Sequence, residues 1–165
     1  MADSPAFLTA VKAVHLRNLA ATEALAAAVA AQARVRDVVT LSGDLGAGKT
    51  AFARGFLRAR PGGESIGEVP SPTFTLVQVY ELAGVPVWHF DLYRLARAED
   101  AWELGIEEAF SDAISLIEWP DRLGNLLPED RLDVALAAGP TADSRRATLT
   151  GHGSWASRLE EMSLG

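Results

Sequence analysis

Residues 43–50 combine glycine, lysine and threonine in a way that can bind the phosphates of a nucleotide. Their sequence, GDLGAGKT, fits the pattern G-x-x-x-x-G-K-[ST] at every fixed position. In this pattern the glycines let backbone N–H groups face a phosphate without interference from a Cβ atom. Lys49 reaches the β- and γ-phosphate oxygens, and the Thr50 hydroxyl binds Mg²⁺. Because the chain has only one other lysine, Lys12, a chance match is disfavoured and we expect a nucleoside triphosphate site.

A triphosphate hydrolase also needs a carboxylate for Mg²⁺ and a group that orients the attacking water. Candidates are His89, Asp91 and Tyr93, which alternate along a strand-like segment and would therefore share one face. Burying such polar groups is costly unless they have partners, which favours a functional role. The alternative is that this face of the strand points to solvent, as in many antiparallel hairpins.

Glu118 is the second candidate carboxylate. It directly follows the apolar run at 113–117 and is followed by Trp119 and Pro120. The carboxyl end of a buried strand is where ligands bind in open α/β sheets, so this position suits a magnesium-associated acid. The alternative is a surface acid that opens the next helix.

Residues 69–74 form a third candidate segment, in which two prolines alternate with the hydroxyls of Ser71 and Thr73. The prolines restrict the backbone, and the two hydroxyls could face a γ-phosphate. This pattern is compatible with a nucleotide-sensing switch. Taken alone, however, the segment favours a proline-rich entry into a strand.

The elements that must position these residues can be predicted from the periodicity of the sequence. A strand over 37–41 enters the phosphate loop and a helix over 50–60 leaves it, which points the helix N-terminus at the phosphates. Strands over 73–82 and 85–93 flank the turn Ala83-Gly84 and predict an antiparallel hairpin. The remaining predicted elements are strands over 13–16, 113–117, 131–137 and 145–150, and helices over 22–34 (with Thr22 as N-cap), 98–110 and 154–162. This order predicts one α/β domain over residues 1–165, with three layers and a mixed sheet that includes the antiparallel hairpin.

Composition limits the classes of protein to which the chain can belong. Its 165 residues carry 15 basic and 22 acidic side chains, and the net charge of −7 disfavours broad binding to nucleic acid phosphates. The absence of cysteine excludes disulfides and thiolate metal sites. The first residues lack the basic and apolar parts of a signal peptide, and no apolar stretch is predicted to span a membrane. We therefore expect a cytoplasmic protein.

Four blocks of the sequence, in this order, resemble the TsaE (YjeE) family: GDLGAGKT at 43–50, SPTFTL at 71–76, HFDLYR at 89–94 and IEWP at 117–120. This family consists of bacterial P-loop ATPases required for N6-threonylcarbamoyladenosine at position 37 of tRNAs that read codons starting with A. The resemblance implies a P-loop NTPase-like fold, binding of ATP and Mg²⁺, and ATP hydrolysis.

The resemblance also implies roles for individual residues. By position, Thr50 and Glu118 would bind Mg²⁺, and Asp91, Lys49 and Glu118 would serve catalysis. The implied nucleotide contacts are Thr22 near the adenine, Asp44, Leu45, Gly46, Ala47, Gly48, Lys49, Thr50, Thr73, Asp91, Trp119 and Arg145. One departure from the family pattern is Ala26, which stands where a glycine is expected in the N-terminal helix.

The family further implies protein partners. TsaE proteins work with a TsaB–TsaD pair, in which TsaD transfers the threonylcarbamoyl group to tRNA and the ATPase resets the assembly. Contact with tRNA would then be indirect, which agrees with the acidic composition of the chain.

Two other functions fit the same phosphate loop. A small-molecule kinase would transfer the γ-phosphate to an acceptor, although the sequence has no obvious lid insertion. A non-catalytic scaffold would assemble a complex through nucleotide binding alone. A GTPase is disfavoured because the sequence lacks the Asn/Thr-Lys-x-Asp segment that recognises guanine.

Overall fold

The computed structural model describes residues 8–164, which form a seven-stranded sheet with helices on both faces. The strands are β1 (Thr9–Leu16), β2 (Val38–Ser42), β3 (Val77–Leu82), β4 (Val85–Asp91), β5 (Ile114–Glu118), β6 (Arg131–Ala138) and β7 (Arg145–His152). The α-helices are α1 (Leu19–Gln32), α2 (Lys49–Ala59), α3 (Ile106–Asp112) and α4 (Ser154–Glu161). Two 3₁₀ segments span Ala98–Leu104 and Pro120–Leu126.

The strand order across the sheet is β1-β7-β6-β2-β5-β4-β3. The four central strands, β6, β2, β5 and β4, are parallel, whereas β7, β1 and β3 complete the sheet through antiparallel pairs. β3 and β4 form the predicted hairpin around Ala83 and Gly84. The expected α/β architecture with a mixed sheet is therefore confirmed. Because parallel strands end at the same edge of a sheet, the carboxyl ends of β2, β4 and β5 meet there.

Two apolar cores hold the helical layers against the sheet. On one face α1, α2 and α4 pack over the sheet through side chains that include Phe52 and Trp155. On the other face α3 and the two 3₁₀ segments pack through side chains that include Ile106 and Leu123. β5 is covered on both faces, so all of its five residues are buried, as expected for a central strand of a parallel sheet.

The first helix begins earlier than predicted. α1 begins at Leu19, and its N-cap is Asn18 rather than Thr22. The Asn18 Oδ1 atom accepts a hydrogen bond from the Ala21 backbone N–H at 3.0 Å, which satisfies one of the free donors of the first turn. Thr22 lies inside the helix and is buried.

The strand predicted over 73–82 begins later, at Val77. The preceding residues form a turn instead, because the Leu76 N–H donates to the Pro72 carbonyl oxygen at 2.7 Å. Leu76 itself has a positive φ of 68°, which ends an extended strand at that point. The backbone of residues 72–76 therefore forms a turn, and Thr73 lines the cavity beside the phosphate loop.

The helix predicted over 98–110 is divided in two. Gly105, with a φ of 85°, ends the first 3₁₀ segment and precedes α3. A Cβ atom at this position would lie 3.0 Å from the Trp88 ring. Both the left-handed backbone and the close packing against β4 thus require glycine here.

The described helices are short. α1 has 14 residues and α2 has 11, whereas about 20 apolar residues are needed to cross the hydrocarbon core of a bilayer. Within residues 8–164 no helix has the length and apolar character of a membrane span.

A buried ion pair connects α4 to the start of β2. The Arg158 Nη1 and Nη2 atoms donate to the Asp37 Oδ2 and Oδ1 atoms at 2.7 and 2.9 Å. These residues are only 7% and 9% exposed. Asp37 also accepts the Arg34 backbone N–H at 2.7 Å, and the guanidinium packs on the Trp155 ring at 3.9 Å. Removing one partner of such a pair leaves the other charge buried without compensation.

We predict that Arg158→Ala lowers the free energy of unfolding by about 3–5 kcal/mol, the usual cost of breaking a buried ion pair. Urea denaturation monitored by circular dichroism measures this change. The control is Arg97→Ala, which removes a pair with Glu99 whose side chains are 74% and 65% exposed. That variant should lose at most about 1 kcal/mol, and equal losses in the two variants would contradict the role assigned to Arg158.

Candidate functional site

The predicted phosphate loop lies between the last residue of β2 and the first residue of α2. Gly43, Gly46 and Gly48 have positive φ angles of 142°, 81° and 108°, a backbone that side chains with a Cβ atom rarely adopt. A Cβ atom at Gly43 would also lie 2.4 Å from the Leu136 carbonyl oxygen. The loop ends in the N-terminus of α2, where free backbone N–H groups and the helix dipole favour an anion.

Lys49 is the first residue of α2 and is 5% exposed. Its Nζ atom donates to the carbonyl oxygens of Gly43 at 2.5 Å and Asp44 at 2.9 Å, which folds the side chain back over the loop. The same atom lies 4.2 Å from the centre of the Trp119 ring, a cation–π contact.

Burial lowers the pKa of the Lys49 ammonium below its ordinary value, because a charged group loses hydration there. The negative charges of Glu118, Asp91 and Asp44 act in the opposite direction and favour the protonated form. Burial and the nearby carboxylates therefore act in opposite directions on the pKa of the Lys49 ammonium, and burial has the larger effect.

Glu118 is the last residue of β5 and faces the start of α2. Its two carboxylate oxygens each lie 3.2 Å from the Thr50 hydroxyl. The His89 Nε2 atom lies 2.6 Å from the Oε2 atom of the same carboxylate. Glu118 is 2% exposed, so the interpretation of a surface acid is wrong, whereas the binding of Mg²⁺ by Glu118 and Thr50 stays a prediction.

Asp91 is the last residue of β4 and pairs in register with Glu118 on β5. Its Oδ2 atom accepts hydrogen bonds from the hydroxyls of Ser71 at 3.1 Å and Thr73 at 3.3 Å. Its Oδ1 atom accepts the Tyr93 backbone N–H at 3.1 Å. Two hydroxyls of the segment at 69–74 therefore contact the buried carboxylate, and a switch role for this segment stays a prediction.

The face of β4 that carries the alternating polar residues is not a solvent face. His89 is fully buried and Asp91 is 5% exposed. Tyr93 differs, because β4 ends at Asp91 and the Tyr93 side chain is half exposed, with its ring against Trp119 at 4.9 Å. The alternation therefore predicted correctly that His89 and Asp91 share one face of β4, whereas Tyr93 lies beyond the end of the strand.

A cavity of about 260 Å³ lies among these groups. It is lined by Leu45, Gly46, Gly48, Lys49, Thr50, Ala51, Ser71, Thr73, Asp91, Glu118 and Trp119. Two predicted site residues, Asp44 and Ala47, line a second cavity of about 380 Å³ that shares Leu45 and Gly46 with the first. Arg145 also lines the second cavity, and its guanidinium donates to the carbonyl oxygens of Ala47 and Gly46 at 3.1 and 3.2 Å.

Among the residues to which the resemblance assigns a role, Thr22 is the one that lines neither cavity. It is buried within α1, and its contact with adenine stays a prediction. Conversely, Ala51 lines the first cavity although nothing in the sequence pattern assigned it to the site. Ser71, whose hydroxyl was predicted to face a γ-phosphate, lines the same cavity.

The donor set of the first cavity fits a magnesium–nucleotide complex. Mg²⁺ is usually held by one or two protein oxygens together with phosphate oxygens and water, and Thr50 and Glu118 offer such oxygens beside the phosphate loop. Among residues 8–164 no group of three or more His, Cys, Asp or Glu side chains could hold a metal by itself.

Comparison with known proteins identifies the family. The model for "Threonylcarbamoyl adenosine biosynthesis protein TsaE" matches residues 16–147. The chain belongs to the TsaE family. All four blocks that carry the resemblance lie inside the matched range, and the family inferred from them is confirmed.

Individual TsaE relatives cover most of the chain. The tRNA threonylcarbamoyladenosine biosynthesis protein TsaE of Bacillus subtilis is 38% identical over 136 residues, which is 80% of either chain. The Streptomyces coelicolor protein of the same name is 41% identical over 133 residues, 74% of this chain and 86% of its own. The crystal structure of Bacillus subtilis YdiB matches with a TM-score of 0.75 at 33% identity, covering 94% of this chain and 96% of that one. The expected P-loop NTPase-like fold is confirmed by this match.

We predict that Gly43→Ala weakens both folding and nucleotide binding, because a Cβ atom there meets the Leu136 carbonyl oxygen. The backbone strain alone costs about 1–3 kcal/mol for a residue other than glycine in such a sparsely populated region, and the steric contact adds to it. Urea denaturation and titration with a fluorescent ATP analogue measure the two effects. The control is Gly84→Ala in the β3–β4 turn, where φ is 85° and nothing lies within 4 Å of an added Cβ atom. Unchanged nucleotide affinity in Gly43→Ala would contradict this interpretation of the loop.

Proposed function

We propose that this TsaE protein binds ATP with Mg²⁺ and hydrolyses it, and that this cycle supports formation of N6-threonylcarbamoyladenosine at position 37 of tRNAs reading codons that start with A. The observation that carries the proposal is the position of two buried carboxylates beside the phosphate loop. Asp91 and Glu118 end neighbouring parallel strands in register, and Glu118 contacts Thr50. The tRNA modification is supported by the names of the curated TsaE relatives.

The phosphate loop and Lys49 would bind the β- and γ-phosphates. The backbone N–H groups at the start of α2 are suited to phosphate oxygens. Lys49 would exchange its hydrogen bonds to the carbonyl oxygens of Gly43 and Asp44 for bonds to the phosphates. The second cavity, on the Arg145 side of the loop, offers space for the rest of the nucleotide.

Thr50 and Glu118 are the residues that would hold Mg²⁺. The ion, when bound, neutralises charge that develops on the phosphate oxygens. Glu118 suits this role because it ends a fully buried strand and its carboxylate lies beside the loop hydroxyl.

Asp91 would orient the attacking water. Its Oδ2 atom accepts hydrogen bonds from two hydroxyls that line the cavity, those of Ser71 and Thr73. A water molecule that replaces one of these hydroxyls would donate to the same carboxylate oxygen. The switch-like segment and the water would then compete for Asp91, which couples the segment to the state of the nucleotide.

We infer that the isolated protein hydrolyses ATP slowly. Arginine side chains that stabilise the transferred phosphate raise turnover strongly in related chemistry, but Arg145 uses its guanidinium on the carbonyl oxygens of the loop. A protein partner would complete the site, and the family suggests a TsaB–TsaD pair in the cytoplasm. Near the cavity, Leu45 and Phe74 are 73% and 80% exposed, which suits coverage by such a partner.

We predict that Asp91→Ala and Glu118→Ala separate binding from chemistry. Glu118→Ala should weaken nucleotide binding only when Mg²⁺ is present, because it removes an oxygen that holds the ion. Asp91→Ala should bind Mg–ATP yet release phosphate slowly, by about 10²-fold or more if it positions the water. Titration calorimetry with and without EDTA measures binding, and phosphate release without any acceptor measures hydrolysis.

Lys49→Ala serves as the reference variant. It should lose both nucleotide binding and hydrolysis, because it removes the lysine of the loop. Parental hydrolysis in the Asp91 and Glu118 variants would contradict the proposed catalytic assignment. Phosphate release that requires an added acceptor would favour a small-molecule kinase instead. A hydrolysis-deficient variant that binds ATP and supports full modification would favour a non-catalytic scaffold.

The partner role predicts that repeated rounds of tRNA modification need this protein with ATP. The measurement counts modified tRNA per TsaD molecule in mixtures of TsaB, TsaD, tRNA, threonylcarbamoyl adenylate and ATP. These mixtures contain the parent protein, Lys49→Ala, or neither. The parent should raise the yield above one modification per TsaD, whereas Lys49→Ala should not. Equal multiple-turnover yields with and without the parent would exclude the role.

A further inference from the structure

His89 is a buried polar side chain that the proposed chemistry does not use. It lies on β4, two residues before Asp91, and its side chain is fully buried. Its Nε2 atom lies 2.6 Å from the Glu118 Oε2 atom. Its Nδ1 atom is buried and has no hydrogen-bond partner among residues 8–164. Burial of a polar ring is costly unless the ring is hydrogen-bonded, so the contact with Glu118 is the one that offsets this cost.

The contacts of the ring determine which nitrogen carries the proton. A neutral imidazole has one N–H donor and one acceptor nitrogen. With the proton on Nδ1, a buried donor would be unsatisfied, and the lone pair of Nε2 would face a carboxylate oxygen at 2.6 Å. With the proton on Nε2, the ring donates to Glu118, and only an acceptor nitrogen lacks a partner. The second arrangement avoids both costs, since an unsatisfied buried donor is expensive.

We infer that His89 is a positioning residue that holds the Glu118 carboxylate in the orientation needed for Mg²⁺. The hydrogen bond from Nε2 occupies the Oε2 atom and pins the carboxylate from the neighbouring strand. Both carboxylate oxygens lie 3.2 Å from the Thr50 hydroxyl, and the Oε1 atom, which has no contact with the ring, would be left for the ion. Partners that orient a metal-binding carboxylate contribute to metal affinity although they do not touch the metal.

This inference rests on the proposed binding of Mg²⁺ and nucleotide. It adds that the hydrogen bond from His89, and not the bulk of its ring, supports the ion. A phenylalanine at this position would fill similar space without a donor. A glutamine would present its Nε2 donor at a similar distance from the backbone.

The experiment measures the affinity for a non-hydrolysable ATP analogue by titration calorimetry, in Mg²⁺ and in EDTA. The ratio of the two affinities reports the contribution of the ion. For His89→Phe we expect this ratio to fall about 10- to 100-fold while the affinity in EDTA stays at the parental level. His89→Gln should recover most of the ratio.

Ser115→Ala is the matched control. Ser115 lies on the neighbouring strand β5, is fully buried, and its hydroxyl has no hydrogen-bond partner among residues 8–164. The ratio of the affinities in Mg²⁺ and in EDTA should be the same for Ser115→Ala as for the parent. If His89→Phe does not fold, His89→Asn carries the same comparison, because its shorter amide stops short of Glu118.

Two results would overturn the inference. One is a parental ratio in His89→Phe or His89→Asn, and the other is an equal loss in His89→Gln. A second measurement uses the parent alone: ¹⁵N chemical shifts of the histidine ring should report the proton on Nε2, and a proton on Nδ1 would contradict the assignment. A parent that shows no effect of Mg²⁺ on nucleotide affinity would refute the magnesium part of the proposed function, whereas the ring shifts would still test the hydrogen bond.

Discussion

The carboxyl ends of parallel strands lie at one edge of a sheet, and this constraint brings the phosphate loop and the two buried carboxylates together. β2 continues into the phosphate loop, β5 ends at Glu118 and β4 ends at Asp91, so three segments far apart in sequence meet at one edge. The register between β4 and β5 pairs Asp91 with Glu118. A slip of one residue would turn His89 and Asp91 to the opposite face of the sheet, where α3 and the 3₁₀ segments pack.

The two carboxylates of the site are held in different ways. Glu118 receives a contact from a fully buried histidine on a central strand. Asp91 is held instead by hydroxyls of the segment at 69–74, of which Ser71 is exposed. Local stability is usually lowest where few buried contacts hold a segment. Glu118 is therefore held by a buried partner and Asp91 by partners nearer the surface, a difference that agrees with the proposal of a metal ligand beside a switch.

Several elements could be predicted because the signal was local. The phosphate loop needs glycine at fixed positions, and the hairpin needs a turn such as Ala83-Gly84 between strand-like segments. The errors arose where a distant residue decides the local backbone. Gly105 divides a predicted helix because the Trp88 ring of β4 packs against it, and the predicted strand at 73–82 is shortened because residues 71–73 turn toward Asp91. At the first helix the cap is Asn18, a residue type that is preferred over threonine at this position, so Thr22 was the wrong choice.

The sequence by itself determined the family, the phosphate loop and the candidate acids, because each of these depends on residue types at short fixed spacings. Only the tertiary structure decided which of these groups share a cavity. It brought Arg145 to the loop, left Thr22 inside α1 away from both cavities, and placed His89 against Glu118 rather than in solvent. The reason is physical: a side chain on a strand has two possible faces, and which of them is buried depends on the neighbouring strands and on the layer that covers them.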